Sequence, residues 1–133
     1  MFQEMFYHRG KTTRVIGEPR IKIYHELFNF ITQLQENGEL PTHDNYLGGN
    51  ELANNIYNKK YFVKNLNREL IEKCPEDVFK RIATFISTVE ETETKRKRWS
   101  EEFYTDMYEG RFVPGGRVLA GAGDLYRLKT LAN

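Results

Sequence analysis

The sequence predicts a mainly α-helical chain that ends in a glycine-rich loop and one strand. Three observations carry this expectation. Apolar residues recur at three- and four-residue steps over long stretches, the spacing that lines one face of a helix. Pro19 and Pro75 stand where such stretches begin, and proline is tolerated in a first helical turn because its missing N–H would have no partner there. Beyond Gly110 the helical spacing is lost, and residues 111–133 hold four of the ten glycines.

Residues 1–17 are aromatic and basic without a clear period and read as an arm. Glu18-Pro19 opens the first helix, with Ile23, Tyr24, Leu27, Phe28, Ile31 and Leu34 on one face and Gly38 as its stop. Residues 38–50, with Pro41, Gly48 and Gly49, form the loop expected to be most mobile. Asn50 is a good N-cap for a short helix to Lys59 that buries Leu52 and Ile56. Tyr61-Phe62-Val63 reads as an extended connector, and Arg68 to Lys73 as another short helix.

Cys74-Pro75 starts the next helix, with Glu76 and Asp77 near its positive dipole end and Val78, Ile82, Phe85, Ile86 and Val89 as its apolar face. The chain turns polar from Glu90 to Arg98, and helix continues or resumes to Glu109. Trp99, Phe103, Tyr104, Met107 and Tyr108 give that helix its stripe, and Gly110 ends it. Arg111-Phe112-Val113-Pro114 is extended, because the residue before proline is pushed out of the α region. Gly115 to Gly123 is too rich in glycine for a stable helix, and Leu128 to Leu131 starts a strand.

Composition narrows the function classes. The chain has 133 residues, 39% hydrophobic and 14% aromatic, which suits one folded domain and excludes a disordered chain. No run approaches the roughly 18 apolar residues of a spanning helix, and the N-terminus lacks a signal-peptide pattern. The single cysteine, Cys74, excludes an internal disulfide and a cysteine-rich metal site. Together these point to a cytoplasmic protein with no membrane partner. The net charge of +1 gives no reason to expect a general polyanion binder. It hides an asymmetry: Arg111, Arg117, Arg127 and Lys129 stand against Asp124 alone after residue 110, a net +3 that leaves −2 for the rest.

His8, His25 and His43 show no ligand spacing and read as ordinary structural or surface residues. Cys74 sits at a helix N-terminus, a position that lowers a thiol pKa, against the plainer reading of a small, partly buried side chain. Lys95-Arg96-Lys97-Arg98 beside Trp99 is the strongest basic run and suits phosphate contact with base stacking. Its acidic neighbours, Glu90, Glu91, Glu93, Glu101 and Glu102, favour a solvated helix face laced with ion pairs. In the Gly115–Gly123 stretch, glycines permit close backbone approach and Arg117 offers a planar fork for phosphate or carboxylate. It is neither a Walker loop nor a dinucleotide fingerprint, so an anion-contacting loop and a tight packed turn stand level.

The block Gly110-Arg111-Phe112-Val113-Pro114-Gly115-Gly116-Arg117-Val118-Leu119-Ala120-Gly121-Ala122-Gly123, followed by Thr130-Leu131-Ala132-Asn133, resembles the N-terminal part of a ribonucleotide reductase catalytic chain. Ile56-Tyr57-Asn58-Lys59-Lys60-Tyr61 is similar to an aromatic segment of that family, and Arg81-Ile82-Ala83 to its Arg-x-Ala helix. The resemblance covers about residues 48–133. It implies three segments: an unassigned arm and helix at 1–47, a reductase-like helical domain at 48–110, and a substrate-side loop with the first strand of an incomplete α/β barrel at 111–133. It also implies that Gly115, Gly116, Arg117, Val118 and Asn133 contact the substrate, with no catalytic residue and no metal ligand in this sequence.

In the family a redox cysteine follows the strand, whereas this sequence stops at Asn133. The resemblance therefore implies a fragment of a split or truncated catalytic subunit, broken at an intein boundary or left as a remnant. Its partners would be the remaining catalytic chain, a ribonucleotide and thioredoxin or glutaredoxin as reductant. The Gly-Gly-Arg form is similar to adenosylcobalamin-dependent and phage enzymes, so adenosylcobalamin is the expected cofactor of the complete enzyme, with a metal-radical small subunit as the alternative. The function implied is support of deoxyribonucleotide synthesis for DNA replication. The competing expectation is a small helical module that binds nucleic acid through Lys95–Trp99 and the basic tail.

Overall fold

The computed structural model describes residues 18–126. Among them five α-helices follow in order: α1 (Glu18–Glu36), α2 (Glu51–Ile56), α3 (Pro75–Ser87), α4 (Glu93–Tyr108) and α5 (Gly116–Gly121). A π-helical turn, Tyr57–Tyr61, continues directly from α2. The predicted strand near Leu128–Leu131, the arm at 1–17 and Asn133 lie outside the described residues.

Helix α3 is the centre. Its Cys74 N-cap is extended and Pro75 occupies the first turn, as the sequence predicts. Every α3 residue except Asp77 and Ile86 is buried, because α1, α4 and α5 all pack on it. Val78, Ile82 and Phe85 meet Tyr24 and Ile31 of α1, Tyr104 and Met107 of α4, and Leu119 of α5 in one core. Leu40 and Phe62 join the same cluster, so α1 and the chain after residue 48 share a single interior.

α1 stops where Gly38 takes φ +78°, and the Glu39 N–H returns 2.9 Å to the Leu34 carbonyl. The loop expected to be most mobile is tethered at three points. Tyr104 donates to the Pro41 carbonyl at 2.7 Å, the His43 N–H to Glu76 Oε2 at 2.9 Å, and Tyr46 to the Tyr108 carbonyl at 2.6 Å. α4 begins afresh after a break at 88–92, with the Thr92 hydroxyl capping the Lys95 N–H.

Three expectations are corrected. Asn50 caps α2 as read, but Leu52 is 71% exposed. The π turn carries the helical path on to Tyr61, and Tyr57 and Tyr61, stacked edge to face on each other, take the inward role and pack half-buried against the core. Residues 68–73 form no helix: an antiparallel bridge joins Lys64 to Leu70 and Arg68 is left-handed at φ +65°. Asn65 causes this by accepting the N–H groups of Asn67 and Glu69, a local alternative to helical bonding. Finally, the glycine-rich stretch contains α5. Its glycines are at the ends, Gly115 as N-cap and Gly116 and Gly121 as terminal residues, and the interior is Arg-Val-Leu-Ala.

Candidate functional site

The fold gathers four of the five residues expected to contact substrate. Gly115, Gly116 and Arg117 lie exposed at the start of α5, and Val118 turns half inward against the core. Gly116 lies over the Tyr61 ring, where an added Cβ would sit 3.7 Å from the hydroxyl. The fifth, Asn133, is outside the described residues.

What holds this segment is Arg81, the arginine of the Arg-x-Ala stretch in the central helix. Arg81, 2% exposed, projects from α3 toward the C-terminal end of α5. Its Nη1 donates to the Ala122 carbonyl at 2.5 Å, and its Nη2 to the Leu119 and Tyr61 carbonyls at 2.6 and 3.1 Å. Its Nε and Nη2 also grip Glu72 at 2.8 and 3.3 Å. Glu72 in turn accepts the Val63 N–H at 2.9 Å. One guanidinium thus ties α5, the π turn and the 64–72 hairpin to α3. The buried charge is tolerated because it is paired and its donors are satisfied.

Gly123 closes the clamp. It takes φ +81°, and an added Cβ would come within 3.0 Å of Arg81 Cγ and Phe85 Cβ. Only glycine fits that approach without displacing a neighbour. A signal for Arg81 exists in the sequence, since it falls among Val78, Ile82 and Phe85 on the buried stripe. Glu72 carries no comparable signal.

Other candidates resolve differently. Cys74 is half-buried, and burial pushes its thiol up to about 11, outweighing the backbone hydrogen bond at the helix start. Three members of the basic run have partners nearby: Lys97 pairs with Glu93 at 2.9 Å and lies over the Phe30 ring of α1, Arg96 donates to the Glu90 carbonyl, and Arg98 lies over the Trp99 ring. His25 is exposed and packs edge to face on Tyr24, while His43 Nδ1 accepts the Asn45 N–H. His8 is outside the described residues. Among the described residues, no three His, Cys, Asp or Glu side chains group as a metal site. No described helix is long and apolar enough to cross a membrane.

A central helix wrapped by other helices, with a buried arginine fixing a glycine-bounded segment beside it, defines an all-α domain. The family model for the all-alpha domain of ribonucleotide reductase matches residues 48–127, more than half of the chain. The chain belongs to the ribonucleotide reductase family. No curated protein and no solved structure matches it.

Proposed function

We propose that the chain supplies the N-terminal helical part of a ribonucleotide reductase catalytic subunit, and so supports deoxyribonucleotide synthesis for DNA replication. The match of residues 48–127 carries this reading. Gly115, Gly116, Arg117 and Val118 are the substrate-side residues, with Asn133 completing the set. The exposed glycines leave the backbone open to a phosphate, and Arg117 brings a guanidinium to the same turn.

In this reading the chemistry comes from the remaining catalytic chain, acting as partner in a split enzyme. Cys74 supports that division, since a half-buried thiol held near 11 is a poor redox nucleophile at neutral pH. Adenosylcobalamin, or alternatively a metal-radical small subunit, supplies the radical, and thioredoxin or glutaredoxin the electrons. These groups belong to the partner's residues.

The test is nucleotide reduction by a partner polypeptide that carries the catalytic cysteines, with and without this chain. Activity is expected only in the mixture, and Arg117→Ala should raise KM for the nucleotide about tenfold through loss of a charge-assisted contact. Full activity of the partner alone would refute the reading.

A further inference from the structure

A cavity of about 320 Å³ lies on the other side of the clamp, between α1, α3 and the segment after Gly123. Tyr24, Phe28 and Tyr126 give it aromatic walls, and Val63, Ile71 and Leu125 aliphatic ones. That size and lining fall at the lower end of the range for small-molecule sites, roughly 300–1,000 Å³.

Four charged side chains border it, and three are committed. Glu72 and Arg81 hold each other, and Asp77 accepts the Lys73 N–H at 3.0 Å. Lys80 differs. It is 8% exposed, yet its ammonium pairs with no carboxylate among the described residues. Its polar partner is the Thr32 hydroxyl at 3.2 Å, and its Nζ lies 4.5 Å from the centre of the Phe28 ring. An ammonium has three donors, and a buried cation normally has an anion to answer it. Among the described residues one hydrogen-bond partner answers those three donors, and Lys80 lines an aromatic cavity.

We propose that this cavity binds a small aromatic carboxylate, its anionic end on Lys80 and its ring among Tyr24, Phe28 and Tyr126. The site is separate from the exposed start of α5 and does not depend on the reductase reading. Asp77 sets a limit on the ligand: a second anionic group would meet that carboxylate, so monoanions are preferred.

Naphthoate and its neutral counterpart naphthalenemethanol share a ring and differ in charge. Both are titrated into the full chain while the methyl resonances of Val63, Ile71 and Leu125 are followed by NMR. Naphthoate is expected to shift these methyls and bind about tenfold more tightly than the alcohol, the value of one charge-assisted hydrogen bond. Lys80→Met should bring the acid to the alcohol's affinity, and Lys80→Arg should preserve the preference. Equal binding of acid and alcohol to the unaltered chain, or no shift of these methyls, would overturn the proposal without need of any variant.

Discussion

Arg81 links four parts of the chain through one side chain, and its removal has consequences that can be ordered. Arg81→Met leaves Glu72 buried without its cation and strips the donor from three carbonyls. Breaking a buried pair in this way costs about 3–5 kcal/mol. Arg81→Lys should lose much of the same stability, because a point ammonium cannot replace a planar fork reaching several acceptors. Joint replacement of Arg81 and Glu72 by Met should recover part of the loss, since no unpaired charge remains. Urea unfolding of the variants measures each step, and a loss under about 1 kcal/mol for Arg81→Met would contradict the clamp. At this scale the sequence was half legible. Arg81 stands out as a charge on an apolar stripe, but its partner lies in a segment whose local turn chemistry disguises it.

Long elements were readable and short ones were not, for a physical reason. α1, α3 and α4 run 19, 13 and 16 residues, long enough for periodicity and end signals to agree. α2 and α5 have 6 residues each, and there tertiary contacts decide. In α5 the count of glycines misled because their positions mattered: they bound the helix and leave its interior alone. In α2 the π turn shifted the inward face from Leu52 to Tyr57 and Tyr61. This gives a contrast to measure. Leu52→Glu should change stability by no more than about 0.5 kcal/mol, as an exposed substitution does. Ile82→Ala, at a fully buried position in the middle of α3, should cost about 2–5 kcal/mol.

For the whole molecule, the family resemblance singles out the segment at Gly115–Val118, while the interior that fixes this segment arises from contacts between residues far apart in the chain. In and around that interior, several groups hold their protons. Burial pushes the Cys74 thiol up to about 11 and the Tyr57 hydroxyl up to about 12, and it raises Tyr24 and Tyr104 further. All are acids whose neutral form the fold favours, so on raising the pH the unfolded chain releases these protons first. The stability they lend is therefore complete below the ordinary thiol value of 9.0. It is lost as the pH climbs through about 11 for Cys74 and about 12 for Tyr57. The melting temperature should hold steady between neutrality and about pH 8.5, then fall progressively through the alkaline range. Tyr57→Phe removes one contributor and should flatten the upper part of that fall, whatever it does to stability at neutral pH. A melting temperature that stays level to pH 11 would mean the tyrosine and thiol protons are not held by the fold.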